Sequence, residues 1–109
     1  MEFWRREKAA AAWAVRRRAT ADQVRREIDH GRPLCVRIKW FDGGTHFVTI
    51  YGYVNNKKSE LDKVNVADPI YYPTGTKITW DEFQKRYVTP GNIGTWTDSY
   101  YTKGGEHDD

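Results

Sequence analysis

The stretch "LCVRIKWFDGGTHFVTIYGY", residues 34–53, predicts two antiparallel strands joined by a short turn. In its first half every second residue is apolar, in the order Leu34, Val36, Ile38, Trp40. Such a period of two is typical of a strand with one buried face. The segment "FDGGT" contains a glycine pair, which favours a hairpin connection. The second strand, over roughly 46–54, begins at His46.

On the N-terminal side of this hairpin, the pattern predicts two helices. Residues 2–18 are rich in Ala, Lys, Arg and Glu, which are strong helix formers. Thr20 and Gln23 have the spacing of a capping box and predict the start of a second helix. Val24 and Ile28 are one helical turn apart and are expected to face the core. The sequence "GRP" then ends the helix.

On the C-terminal side, strands alternate with turn-rich segments. A strand is predicted at roughly 63–67, and "DPIYYPTGT" is interpreted as a loop. Thr79, with Glu82 three residues later, predicts a short helix at 80–87. "TPGNIG" is a second loop, and "TWTDSYYTK" is the last strand. The predicted class is therefore α+β, with N-terminal helices followed by a twisted antiparallel sheet that contains one inserted short helix.

The composition limits the possible classes of protein. A chain of 109 residues, 39% hydrophobic and 30% charged, suits one globular domain. No apolar run approaches the roughly 20 residues that span a bilayer, so we expect no membrane association. The N-terminus "MEFWRREKAA" has no apolar signal region, which favours a cytoplasmic protein and leaves a secreted or effector parent as the alternative. The single Cys excludes an internal disulfide framework.

The positive charge is concentrated near the N-terminus. The net charge is +3, and residues 1–32 contain nine Lys or Arg against five Asp or Glu. A solvated basic helix explains this bias better than nucleic-acid binding does, because a nucleic-acid site would interleave aromatic or Gly residues with the basic ones. We therefore expect no nucleic-acid partner.

The candidate site consists of His46 and Asp68. His46 opens the second strand and Asp68 closes the third, and antiparallel strands joined by a turn bring such ends together. The parity agrees, since His46 shares a face with Val48, and Asp68 shares one with Val66. A carboxylate that accepts a hydrogen bond from one imidazole nitrogen leaves the other nitrogen free to act as a base. The alternative is a strand-edge histidine beside an ordinary Asp-Pro turn. No metal-ligand spacing and no cofactor motif is present, so neither a metal nor a cofactor is expected.

A resemblance strengthens the first alternative. The segments "GRP", "GGTHFVTIYGY", "VNVADP", "TWDEFQKRY" and "GTWT" occur in order between Val24 and Lys103. Together they resemble the C-terminal half of bacterial papain-like cysteine proteases of the plant-effector type, which are related to bacteriocin-leader peptidases. The resemblance implies a papain-like right-lobe half-barrel that acts on a peptide or protein substrate. It also implies that His46 is the general base and that Asp68 orients it.

The family's nucleophile is not found in this sequence. In the family a Cys opens a helix in a "WCWAA"-like context, with a Gln before it; "AAWAV" at 11–15 has no Cys. Cys35 is the one thiol. If His46 lies roughly opposite Lys39, Cys35 is about four residues further along, or ~13 Å at ~3.3 Å per residue. Since a nucleophile and its base must come within hydrogen-bond reach, Cys35 is expected to be a packing residue.

These observations leave a chain with a base and an orienting residue but no nucleophile. We expect a basic helix at 1–19, a protease half-domain at 20–103 and a disordered tail at 104–109. The half-domain is then inactive alone, or completed by a missing or partner segment. The alternative is a non-catalytic module that binds protein or peptide, derived from the same fold.

An exposed apolar face is expected where the missing lobe would dock, and with it self-association or a protein partner. If a partner supplies the Cys-bearing helix, Trp96 is a candidate to shield the His46–Asp68 pair from water. The candidates for the exposed face are Trp40, Phe41 and Trp96, with Phe3, Trp4 and Trp13 on the first predicted helix.

Overall fold

The computed structural model of the chain describes residues 12–102, which form an antiparallel sheet with two helices. In chain order the elements are β1 (Ala12–Val15), α1 (Ala21–Asp29), β2 (Leu34–Trp40), β3 (Thr45–Asn55), β4 (Leu61–Asp68), β5 (Tyr72–Thr79), α2 (Trp80–Lys85), β6 (Tyr87–Thr89) and β7 (Asn92–Thr102). The predicted α+β class agrees with this architecture. Neither helix of the described part is long and apolar enough to cross a membrane.

The strand order of the sheet is β1-β7-β2-β3-β4-β5, with β6 paired to β7 beside this path. The predicted β2–β3 hairpin is present, and its turn places Gly43 and Gly44 at φ values of 100° and 82°. Residues with a Cβ rarely adopt such positive φ values, which explains the glycine pair. The last strand, β7, lies between β1 and β2, so the two ends of the described chain meet in one sheet.

One sheet face is buried and packs against both helices. The alternating apolar residues of β2, β3 and β4 are fully buried, as the period of two predicted: Leu34, Val36, Ile38, Val48, Ile50, Val64, Val66. Val24 of α1 and Phe83 of α2 belong to the same core cluster. The Thr20 capping box is formed, with Gln23 as its reciprocal partner. Thr79 caps α2 by accepting the amide of Glu82, as predicted, while the Glu82 carboxylate pairs with Arg86.

The prediction of N-terminal helices is wrong for the described part of the chain, because within residues 12–102 a single helix, α1, precedes β2. Residues 12–15 form β1, which pairs with β7 from Ala12 opposite Thr102 to Val15 opposite Ser99. The sequence "AWAV" has a helical preference, but the open edge of β7 offers backbone hydrogen bonds that a short helix cannot match. The remainder of the predicted helix, residues 2–11, and the predicted tail at 104–109 lie outside the described residues.

The two segments interpreted as loops contain strands. "DPIYYPTGT" includes most of β5, and "TPGNIG" contains the end of β6, the turn at 90–91 and the start of β7. Pro73 and Gly75 suggested a loop, but β5 is at the edge of the sheet, where a missing amide donor and a glycine at φ 93° are tolerated. Its β-branched and aromatic residues then pair with β4.

Candidate active site

His46 lies at the start of β3, on the buried face, and its neighbours fix its ring. It pairs with Ile38 of β2, one residue from the predicted partner Lys39. Only 10% of its side chain is exposed. Trp40 stacks nearly parallel to the imidazole, with ring centres 5.4 Å apart and an angle of 19°. Tyr71 meets the imidazole edge-on at 5.7 Å. The imidazole is therefore held between two aromatic rings, which restricts its rotation and its access to water.

Asp68, at the end of β4, is fully buried and directly contacts His46. The distance from His46 Nε2 to Asp68 Oδ1 is 2.9 Å. The predicted contact between the two side chains is therefore present. The catalytic roles assigned to them stay predictions.

The same carboxylate organises the turn that follows β4. Asp68 Oδ1 also accepts the backbone amides of Ile70 at 2.9 Å and Tyr71 at 3.0 Å. The predicted histidine contact and the Asp-Pro turn therefore occur together, because both use one carboxylate. The turn also positions Tyr71, whose ring closes over His46.

Tyr87 binds the other oxygen of Asp68. Its hydroxyl donates a hydrogen bond to Asp68 Oδ2 at 2.6 Å, in a fully buried environment. Tyr87 opens β6, where it pairs with Gly94 of β7, and its ring contacts Phe83 of α2. The sequence analysis did not identify Tyr87. Tyr87 is 19 positions after Asp68, with β5 and α2 between them, and no spacing rule relates the two.

These contacts set the ionisation of the carboxylate. Burial acts to raise the pKa of Asp68, but hydrogen bonds from Tyr87, from the amides of Tyr71 and Ile70, and from His46 outweigh it. The pKa of Asp68 is therefore held below its usual range. Burial, and then the hydrogen bond and negative charge of Asp68, raise the pKa of Tyr87 well above that of an ordinary tyrosine. At neutral pH, Asp68 is an anion that only accepts hydrogen bonds and Tyr87 is a neutral donor.

The ionised carboxylate determines the tautomer of His46. Because Asp68 can only accept, the proton of a neutral imidazole lies on Nε2, and Nδ1 holds a lone pair. Among residues 12–102, Nδ1 has no hydrogen-bond partner. The arrangement can therefore accept a proton at Nδ1 and stabilise the resulting imidazolium through Asp68.

Cys35 is on the opposite face of the sheet from His46. Cys35 pairs with Thr49, whereas Ile38, three positions later in β2, pairs with His46. Since side chains alternate between faces along a strand, an offset of three positions puts Cys35 and His46 on opposite faces. The separation along the strand is three residues, or about 10 Å. Burial raises the pKa of the Cys35 thiol, so it is also poorly ionised. Cys35 is therefore unsuited to react with His46 as its base.

The shielding role of Trp96 in a completed site stays a prediction. Trp96 is 2% exposed, and its ring contacts Phe83 and Trp80 in the core. Its indole nitrogen donates to Ser99 and to the carbonyl of Asp98. Trp40 and Tyr71 contact the imidazole directly, because β2 and the turn after β4 bring their rings to it.

No group of His, Cys, Asp or Glu side chains in residues 12–102 has the arrangement of a metal site.

Comparison with known proteins identifies the family of the chain. The family model described as "Peptidase_C39 like family" matches residues 3–95, most of the chain. No curated protein and no solved structure matches the chain significantly. The matched region contains His46, Asp68 and Tyr87. The chain therefore belongs to the Peptidase_C39 like family, a papain-like group of cysteine peptidases.

Proposed function

We propose that this chain supplies the general base and the orienting carboxylate of a cysteine peptidase, and that the nucleophilic thiol comes from outside these 109 residues. His46 is the base and Asp68 orients it. The observation that supports this most directly is the hydrogen bond from His46 Nε2 to Asp68, which leaves Nδ1 with a lone pair and no partner in the described part of the chain. The family membership supports the same chemistry.

The reaction requires one thiol near Nδ1. His46 Nδ1 takes the proton of the thiol, and the thiolate attacks the carbonyl carbon of a peptide. As the C–N bond breaks, the imidazolium returns the proton to the leaving amine, and an acyl thioester remains. His46 then accepts a proton from water, whose oxygen attacks the thioester and releases the carboxylic acid and the thiol. Asp68 stabilises the imidazolium in both steps.

The source of the thiol follows from the position of Cys35. Since the chain's single Cys is on the other sheet face, we propose that the chain is the C-terminal half-domain of a papain-like fold. A further segment of a longer protein, or a partner chain, contributes the Cys. The chain alone is then inactive towards peptides.

The alternative of a non-catalytic module that binds peptides by strand addition has less support. The edge strand β5 is the natural acceptor for an added strand, because no described strand pairs with its outer side. Pro73, the positive φ of Gly75 and Lys77 all occur on it. These are devices that discourage strand pairing at sheet edges. Strand addition also offers no reason for a buried His–Asp pair.

The first prediction tests the source of the thiol with an epoxysuccinyl affinity probe, which alkylates a thiol activated by a neighbouring base. The chain is tagged at its chromosomal locus and purified together with any further segment of the same polypeptide and any bound partner chain. The purified sample is then treated with a biotinylated probe. We expect the probe on a Cys outside the 109 residues, with casein hydrolysis in the same sample. His46→Ala should reduce both about 100-fold or more.

Two controls separate the alternatives. Cys35→Ala should leave labelling and hydrolysis unchanged, and the purified 109-residue chain should show neither. Labelling on Cys35, or labelling of the external Cys that His46→Ala does not reduce, would contradict the proposal. A strand-addition contact would instead survive His46→Ala, because backbone groups make it.

A further inference from the structure

The hydrogen bonds of Asp68 are divided between its two oxygens in an asymmetric way. Oδ1 accepts from His46 and from two backbone amides, whereas Oδ2 accepts from Tyr87 alone among the described residues. The orientation of the carboxylate is therefore fixed at Oδ1 by the turn amides and His46, and at Oδ2 by the phenol of Tyr87. Rotation of the carboxylate about its Cβ–Cγ bond would break the Tyr87 contact and the His46 contact together.

Tyr87 has a fixed position of its own. Its side chain is 1% exposed and contacts Phe83 at a ring distance of 5.9 Å and Trp40 at 6.3 Å. Trp40 in turn stacks on His46. Tyr87 thus contacts two of the three residues that hold the imidazole: it binds Asp68 through its hydroxyl and packs against Trp40 through its ring.

We propose that Tyr87 is a positioning residue of the site, which holds the carboxylate of Asp68 in the orientation that keeps the proton of His46 on Nε2 and the lone pair on Nδ1. The inference rests on the proposed function for its catalytic meaning, but the orientation itself is a property of this chain alone. Tyr87 does not contact the reacting atoms. It acts through Asp68.

A phenol suits this role because it is a donor without charge. A Lys or Arg at the same place would neutralise Asp68 and weaken its stabilisation of the imidazolium. A water molecule would supply a hydrogen bond but no fixed direction. A buried phenol on a strand supplies direction and leaves the negative charge for His46.

The test compares two variants that each remove one phenolic hydroxyl from a carboxylate. Tyr87→Phe removes the donor to Asp68. Tyr53→Phe is the matched control, because the Tyr53 hydroxyl donates to Asp29 at 2.7 Å on an exposed surface. In the isolated chain, the pKa of Asp68 is measured from its carboxyl ¹³C shift, and the His46 tautomer from the two ring ¹⁵N shifts.

We expect Tyr87→Phe to raise the pKa of Asp68 and to lower the fraction of neutral His46 protonated on Nε2, while Tyr53→Phe changes neither. In the completed peptidase, the rate of probe labelling should fall about 10- to 100-fold with Tyr87→Phe, because a hydrogen bond to a charged group is lost. The folded Tyr87→Phe chain with the wild-type pKa of Asp68 and the wild-type tautomer would overturn the inference. The proposed function would still stand on the His46→Ala result.

A second variant keeps the test decisive if Tyr87→Phe does not fold. Site-specific 3-fluorotyrosine at position 87 retains the ring and the hydroxyl but makes the hydroxyl a stronger donor. We expect the pKa of Asp68 to shift further down in this protein. An unchanged pKa of Asp68 would overturn the inference, since the ring and the fold are the same.

Discussion

At the scale of single residues, Asp68 combines two roles that are often separate. Its carboxylate closes the turn after β4 by accepting hydrogen bonds from the amides of Ile70 and Tyr71. It also accepts a hydrogen bond from Nε2 of His46. A buried carboxylate without partners would be protonated. Here the donors keep it ionised, so that it accepts the hydrogen bond from His46 as an anion.

The ionisation of Asp68 predicts a pH dependence of stability. The pKa of Asp68 in the folded chain is below the value of about 3.9 for an unfolded Asp. Between the folded and the unfolded pKa of Asp68, the folded state binds fewer protons than the unfolded state, so the free energy of unfolding increases with pH. The contribution of Asp68 is present above the unfolded pKa and is lost as pH falls through the folded pKa. Asp68→Asn should flatten this dependence and lower the free energy of unfolding by about 2–4 kcal/mol at pH 6.

Urea unfolding between pH 3 and pH 6 measures both effects. The control is Asp81→Asn, which removes an exposed carboxylate on α2 and should retain the wild-type slope. An Asp68→Asn protein whose stability depends on pH as strongly as the wild type would show that other groups cause the dependence.

At the scale of elements, the contact between β2 and β7 positions the rings around His46. Gly94 of β7 pairs with Trp40 of β2 and with Tyr87 of β6. A Cβ at position 94 would come within 2.8 Å of the backbone oxygen of Lys39 and of the Trp40 ring, and within 2.6 Å of Ile38. The absence of a side chain at Gly94 is what allows Trp40 to stack on the imidazole.

Gly94→Ala should therefore disturb the site through β2. We expect a loss of about 1–3 kcal/mol in the free energy of unfolding, since the core residues must move apart. The His46 ring protons should shift in NMR spectra as Trp40 moves away. Gly91→Ala is the matched control, because a Cβ there meets nothing within 4 Å. Wild-type stability together with unchanged His46 resonances in Gly94→Ala would show that Trp40 does not need the space at Gly94 to stack on His46.

At the scale of the whole molecule, the most exposed large apolar side chains among the described residues adjoin the site in sequence. Phe41 is 72% exposed and follows Trp40; Ile70 is 67% exposed and precedes Tyr71. Trp40 and Tyr71 are the two rings that enclose His46. Of the aromatic residues expected on an exposed face, Phe41 and Trp13 are exposed, Trp40 is half-buried and Trp96 is buried, while Phe3 and Trp4 lie outside the described residues.

We propose that Phe41 and Ile70 contact the segment that supplies the thiol. The double variant Phe41→Ser, Ile70→Ser should reduce the rate of probe labelling in the completed peptidase about tenfold or more, because two apolar side chains lose a buried contact. The stability of the isolated chain should change by less than about 0.5 kcal/mol, as expected for exposed positions. Val54→Ser is the control: Val54 is also exposed, but near the opposite end of β3. Equal labelling by the double variant and the control would exclude this surface.

The sequence by itself determined the features that depend on neighbouring residues. The period of two from Leu34 to Trp40 identified the buried face, and the Gly43–Gly44 pair identified the hairpin, because side-chain alternation and positive φ are local properties. The same alternation placed His46 and Asp68 at one end of that face. The Thr20 and Thr79 caps were likewise predictable from their own segments.

Only the tertiary structure decided what joins these parts. Residues 12–15 became a strand because β7 has an open edge, and β5 formed despite Pro73 because it pairs with β4 on one side only. Tyr87 reaches Asp68 because β6 pairs with β7, which places the Tyr87 side chain in the buried core. Trp40 covers His46 because Gly94 has no side chain in the space that the Trp40 ring occupies. The β1–β7 pairing, the Tyr87–Asp68 hydrogen bond and the Gly94–Trp40 pairing join residues distant in the chain. The free energy that selects them comes from burial and hydrogen bonds formed when the sheet closes, which no local pattern records.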